Sequence, residues 1–163
     1  MKIDSVDRAI LDTLQRDGRI PNVRLAERVH LSESACLRRT RMLEEAGVIS
    51  QYKAVVNARA VGLPDNVFVS IALLRQDQPD LEAFERAVCD VPEVMECYLM
   101  TGEFDYLLRV VVADASDYER VHRSRLTSLP GVARVQSSFA LRVVQHAVAL
   151  PLALPPGVES KAR

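Results

Sequence analysis

The stretch Leu31-Ser32-Glu33-Ser34-Ala35-Cys36-Leu37-Arg38-Arg39-Thr40-Arg41-Met42-Leu43-Glu44-Glu45-Ala46-Gly47-Val48-Ile49 reads as one capped helix with two unlike faces. Ser32 is a strong N-cap residue, because its hydroxyl can accept an otherwise orphaned N–H of the first turn. Cys36, Thr40 and Leu43 recur at i, i+4 and i+7 and form an inward stripe. Gly47 stops the helix and Val48-Ile49 begins a short extended run. The outward face carries Ser34, Ala35, Arg38, Arg41 and Met42, with Arg39 beside them.

Upstream, Pro21-Asn22 opens a shorter helix with Leu25, Ala26 and Val29 on one face, and His30-Leu31 is a brief turn. Before it, Asp4 or Ser5 caps a first helix along Ile10, Leu11 and Leu14, which Gly18 ends. Two helices joined by a tight turn, the second rich in arginine, have the outline of a helix-turn-helix. Ser and Arg side chains hydrogen-bond base edges, and a small Ala admits a thymine methyl. Arginines and free first-turn N–H groups also meet phosphates. The candidate DNA-contacting residues are therefore Ser32, Ser34, Ala35, Arg38, Arg39 and Arg41. The competing reading is a solvated helix whose arginines pair with Glu44 and Glu45, Arg41 and Glu45 being four residues apart.

Charge supports the first reading only locally. The 163 residues, 48% hydrophobic and 26% charged, have a net charge of −1. Residues 1–55 carry ten Lys/Arg against eight Asp/Glu, and the remainder carries 11 − 14 = −3. Cys36, Cys89 and Cys97 are an odd set without CxxC spacing, which argues against a disulfide framework or a zinc knuckle. His30, His122 and His146 have no metal spacing. Glu93, Glu96, Glu103 and Asp105 lack a nucleophile or phosphate loop beside them, so no enzyme is expected and no cofactor. The start, Met1-Lys2-Ile3-Asp4, does not read as a signal peptide. The longest uncharged apolar stretch, Ala147–Val158, falls short of the roughly 20 residues that span a bilayer, and a cytoplasmic protein is expected.

Tyr52–Val56 reads as a strand leaving the first domain, and Asn57–Leu63 as a connector. Downstream, strand patterns at Val67–Leu74, Val94–Thr101, Tyr106–Ala113 and Val132–Val144 alternate with helical spacing at Pro79–Asp90 and in a helix capped by Ser116 or Asp117 and stopped by Pro130-Gly131. The last stretch holds one strand or two. The order βαββαβ specifies a ferredoxin-like α+β domain with both helices on one sheet face. The other face would carry Phe68, Ala72, Leu107 and Val111, bare enough to call for a second copy. The expected division is 1–60, 61–150 and a loose tail at 151–163.

The quoted helix, with Asp7-Arg8-Ala9-Ile10-Leu11 and Gln15-Arg16-Asp17-Gly18-Arg19-Ile20 upstream, resembles the winged helix-turn-helix of the Lrp/AsnC, or feast/famine, transcription factors. Cys97-Tyr98-Leu99-Met100-Thr101-Gly102-Glu103-Phe104-Asp105-Tyr106-Leu107-Leu108-Arg109-Val110, with Val91-Pro92-Glu93-Val94 and Leu129-Pro130-Gly131-Val132, resembles the family's RAM domain. Thr40 stands where the family usually has an aliphatic residue, and the Pro often found near Glu33 is missing. The resemblance implies a sequence-specific DNA-binding regulator of amino-acid metabolism that assembles as dimers, tetramers or octamers. It implies an amino-acid effector at the seam between dimers, with Thr101, Gly102, Glu103, Phe104 and Asp105 as one wall and Ser138, Phe139 and Ala140 as another. In that pocket Asp105 would accept the effector's ammonium, and Thr101 with the N–H groups around Gly102 would meet its carboxylate. The alternative is an oligomeric small-molecule sensor or enzyme on the ferredoxin-like domain, with the N-terminal helices serving only for docking.

Overall fold

The computed structural model describes residues 2–145 and 149–152, and the chain divides into two compact units. One holds residues up to Val55 and the described part of the segment from Gln145 onward; the other is Val56–Val144. The two units divide between Val55 and Val56, and the second ends at Val144.

The first unit contains α1 (Ser5–Arg16), α2 (Asn22–Arg28) and α3 (Glu33–Glu45). Asp4 caps α1 reciprocally. Its carboxylate accepts the Asp7 N–H at 2.8 Å, and the Asp7 carboxylate accepts the Asp4 N–H at 3.1 Å. After α2, His30 takes a left-handed conformation with φ 55, and Leu31 N–H closes back on the Ala26 carbonyl at 3.0 Å. Ile10, Leu11, Leu25, Ala26, Val29, Cys36 and Leu43 are buried together. Thr40 is tolerated on that inward stripe because its hydroxyl donates to the Cys36 carbonyl at 3.1 Å.

Beyond α3 the chain runs extended. The strand expected at Tyr52–Val56 does not form, since no neighbouring strand pairs with it among the described residues. Tyr52 instead lies against Gly18, where a Cβ would stand 3.4 Å from the Tyr52 ring. The tail departs from expectation too. Leu150-Pro151-Leu152 lies against α1 rather than loose, while His146 and residues from 153 on are outside the described residues.

The second unit contains β1 (Asp65–Leu73), α4 (Gln78–Cys89), β2 (Val94–Leu99), β3 (Tyr106–Val112), α5 (Ala115–Ser124) and β4 (Val132–Phe139). The strands form one antiparallel sheet in the order β2-β3-β1-β4, so the fold class is a winged helix-turn-helix followed by a ferredoxin-like domain. Asp114 caps α5, not Ser116 or Asp117. The helix stops at Ser124, short of Pro130, where the Ser124, Thr127 and Ser128 hydroxyls bond nearby carbonyls and a 3₁₀ turn takes over at Leu126–Ser128. After Val132 there is one strand, and the described chain beyond Phe139 is irregular.

Alternation sorts the sheet's two faces. Val67, Val69, Ile71 and Leu73 on β1 face the helices with Leu108 and Val110, and Phe84 of α4 packs on Tyr106 with ring centroids 4.4 Å apart. The opposite face carries Phe68, Ala72, Leu107 and Val111 as expected, but it is not bare. Arg109 Nε donates to Glu96 Oε1 at 2.9 Å and Nη1 to Asn66 Oδ1 at 3.0 Å, while the Tyr98 hydroxyl donates to Glu96 Oε2 at 2.9 Å. Three strands are thus stitched by polar groups across a partly apolar surface. Removing the buried Phe84 ring with Phe84→Ala should cost about 3 kcal/mol or more of stability, read by denaturant unfolding.

Candidate DNA interface and effector turn

The exposed face of α3 shows Ser34, Arg38 and Arg41, with Ala35 half-buried at its start. Leu37 and Met42, 40% and 43% exposed, stand among them and add apolar surface that the sequence reading did not assign to DNA contact. Neither Arg38 nor Arg41 forms an ion pair among the described residues. The pairs with Glu44 and Glu45 named in the competing reading do not form among the described residues. Glu44 instead accepts the Tyr52 hydroxyl at 2.8 Å, and partial burial, followed by that contact, pushes the Tyr52 phenol up to about 12.

The start of α3 is open in the way an anion requires. Ser32 Oγ accepts the Ala35 N–H at 3.3 Å and also lies 3.3 Å from Ser34 Oγ. The Glu33 and Ser34 N–H groups donate to no described residue. Asn22, the first residue of α2, donates from Nδ2 to the Glu33 carbonyl at 3.0 Å and ties the two helix starts together. Sequence reasoning gave Asn22 only the role of opening a helix.

Arg39 differs from its neighbours. Its Nη1 lies 2.8 Å from Asp4 Oδ2 and 2.7 Å from Asp7 Oδ1, and the Asp7 side chain is only 5% exposed. A carboxylate so withdrawn from water needs donors, and Arg39 supplies one. The guanidinium expected to meet phosphate is therefore a strut between α3 and α1. The Asp7 N–H, and then Arg39, hold the Asp4 carboxyl below its usual 3.8.

In the second unit, the turn from Thr101 to Asp105 joins β2 to β3. Gly102 has φ 120, a conformation that other residues adopt only rarely and under strain, although a Cβ there would meet nothing within 4 Å. The N–H groups of Thr101, Gly102, Glu103 and Phe104 donate to no described residue. Asp105, 9% exposed, is engaged within the chain. Its Oδ2 accepts the Leu73 N–H at 2.7 Å and its Oδ1 accepts Gln76 Nε2 at 2.7 Å. Glu103 pairs with Arg134 at 2.7 Å, and that guanidinium lies 4.5 Å from the centre of the Phe104 ring.

The two expected pocket walls do not meet within one chain. Asp105 N–H bonds the Ile71 carbonyl, which places the turn at one end of β1. Ser138 and Phe139 pair with Phe68 and Val67, and Ala140 N–H bonds the Asn66 carbonyl, at the other end. Four residues of strand separate them, about 13 Å. Phe139 also turns to the helix side, edge-on to Tyr118, whereas Ser138 shares the open face with Phe68.

These placements separate the arginines by experiment. Arg38→Ala and Arg41→Ala should each lower the salt dependence of DNA binding by about one phosphate equivalent, with unfolding unchanged. Arg39→Ala should lower the unfolding midpoint and leave the salt slope of the folded protein alone. The Asp4 contribution is present above the carboxyl's ordinary range and is lost as pH falls through the depressed folded value, below 3.8. The acid limb of a midpoint-against-pH curve should accordingly be shallower in Asp4→Asn than in the wild type.

Comparisons with known proteins agree with this layout. Residues 3–50 match the sequence model of a winged helix-turn-helix DNA-binding domain, and residues 66–150 match that of the Lrp/AsnC ligand binding domain. The chain is 42% identical over 151 residues to the Bkd operon transcriptional regulator of Pseudomonas aeruginosa, covering 93% of this chain and 99% of the relative. It is 41% identical over 144 residues to the leucine-responsive regulatory protein of Escherichia coli, covering 88% of each. Among solved structures, a transcriptional regulator from Neisseria meningitidis in complex with L-methionine superposes with a TM-score of 0.88 at 40% identity, covering 93% of this chain and 97% of that one. The feast or famine regulatory protein of M. tuberculosis, also complexed with L-methionine, gives 0.82 at 35% identity, with coverages of 89% and 96%. Two domains matched in order, with relatives aligned over nearly their whole length, place this chain in the Lrp/AsnC family of transcriptional regulators.

Proposed function

We propose that the chain is a DNA-binding transcriptional regulator of amino-acid metabolism whose α3 enters the major groove. The observation that carries this reading is the pair of exposed arginines, Arg38 and Arg41, which form no ion pair among the described residues, Arg38 reaching only Met42 Sδ at 3.8 Å, on the same helix as an open first turn. Ser34 and Ala35 face base edges in this reading, and Ser32 holds the first turn open to a phosphate. Arg39 sets the helix's position.

The working unit is a homodimer formed through the open sheet face, with further assembly into tetramers or octamers. The effector is an amino acid held between copies. One copy supplies the Thr101–Asp105 turn and another supplies Ser138, Phe139 and Ala140, since a single chain keeps these walls about 13 Å apart. The four N–H groups of the turn that donate to no described residue suit a carboxylate. Gln76 Nε2 occupies the oxygen of Asp105 that an effector ammonium would take. In this reading Gln76 is a stand-in donor displaced on binding. No cofactor is required, and the protein works in the cytoplasm. Among the described residues no helix is long and apolar enough to cross a membrane.

Thermal unfolding with each standard amino acid tests the effector, with L-methionine as the first probe because two relatives bind it. A ligand at about 100 times its Kd should stabilise by about 2.7 kcal/mol. Gln76→Ala removes the internal competitor and should tighten binding a few-fold. Weaker binding in that variant would show that Gln76 holds the ligand instead. A flat panel across all amino acids would remove the effector from the proposal and leave the DNA reading in place.

A further inference from the structure

After the sheet, the chain returns to its own helix-turn-helix unit. Leu150 N–H donates to Gln15 Oε1 at 2.6 Å, and Gln15 Nε2 donates back to the Leu150 carbonyl at 3.3 Å. Arg8 Nη1 donates to the Leu152 carbonyl at 3.1 Å. The Leu152 side chain packs against the unit's buried core. Arg8 and Gln15 are two turns apart on one face of α1, about 10 Å along the axis. The segment crosses that face antiparallel to the helix, with Leu150 at its C-terminal side and Leu152 at its N-terminal side.

This contact changes how the second unit is attached. The chain leaves the helix-turn-helix unit after Val55 and re-enters it at Gln145, so the effector domain is joined to it at both ends. The first connection is an extended stretch with Val55 74% and Val56 63% exposed, and no described strand pairs with it. One such tether allows the DNA-binding unit wide freedom; a second attachment removes much of it. The second is slight. It consists of a few side chain–backbone bonds, largely exposed, and one leucine.

We propose that residues 149–152 form a strap on α1 that restrains each DNA-binding unit from a second side and thereby sets which half-site spacing a dimer prefers. The occupant of the α1 face is the chain's own segment. The inference rests on the dimeric DNA-binding reading above. With the strap docked, the second α3 is presented at high effective concentration for one spacing. With it released, the effective concentration falls and is spread over many spacings.

The test uses the full chain and two independent variants, Leu152→Asp and Gln15→Leu. Limited proteolysis and hydrogen exchange at 149–152 verify release. Binding is measured to DNA with a single half-site and to DNA with two half-sites at a series of spacings. The expected result is unchanged single-half-site affinity, a roughly tenfold loss at the best spacing and a flatter spacing profile. An unchanged profile with the segment released overturns the strap. Equal loss on single and paired half-sites also overturns it, because the segment then merely supports the fold of the unit. A wild type that gains nothing from a second half-site overturns the dimeric reading together with the strap, which distinguishes that failure from the others. A thiol crosslink between Gln15→Cys and Leu150→Cys, with Cys89→Ser and Cys97→Ser, should leave a monomer on a denaturing gel. A covalent dimer would place the segment on a partner copy and overturn the same-chain assignment.

Discussion

A carboxylate withdrawn from water has to be met by donors, and this constraint organises both ends of the molecule that bear on function. Asp7 and Asp105 are the buried acids among the described residues. Asp7 recruits a guanidinium from α3 and the backbone N–H of Asp4 at the start of α1. Asp105 recruits the Leu73 N–H and the Gln76 amide, and so fixes the end of β1, the loop after it and the turn before β3 as one piece. In neither place is the acid itself prominent on the surface. What it does is position neighbours that are.

Much of this was legible in the chain because it follows from short-range chemistry. Asp4 is followed three residues later by Asp7, and the capping box forms. Period-two alternation around Val69 and Ile71 fixed the buried face of β1, and helical spacing through Phe84 and Val88 placed α4. The order of elements then left one antiparallel topology. The inward stripe of α3 was visible too, even with Thr40 in it.

What was not legible depends on partners far away in sequence. Arg38, Arg39 and Arg41 are alike in chemistry, and although the helical period sets Arg39 beside the outward face, only the acids of α1 show what it meets, Asp4 lying 35 residues from it. Asp105 in a turn resembles any turn acid until Gln76 and Leu73 close on it. Leu150 ends the stretch read as the second domain and Leu152 sits in the tail read as loose, yet their bonding partners are 135 and 144 residues away. The end of α5 was misread for a nearer reason. A run of Ser and Thr offers carbonyls a competing donor, so the helix frays before its proline. Tyr52–Val56 shows the opposite limit. Its residues have strand preference, but a strand is a relation between two segments, and this one has no described neighbour.

The stitched face of the sheet has a consequence for company. Arg109, Glu96, Asn66 and Tyr98 satisfy one another within a single chain. A surface that covers them need bring no charge of its own, because the guanidinium and carboxylate are already matched, and any covering surface meets a nearly neutral patch. Long-range electrostatics therefore contribute little to choosing what lies on this face. The choice falls to shape, above all to how the Phe68 ring and the Leu107 side chain are accommodated. In the proposed dimer, where several related chains are made in one cell, discrimination between self and sibling at this surface is a matter of steric fit rather than of charge.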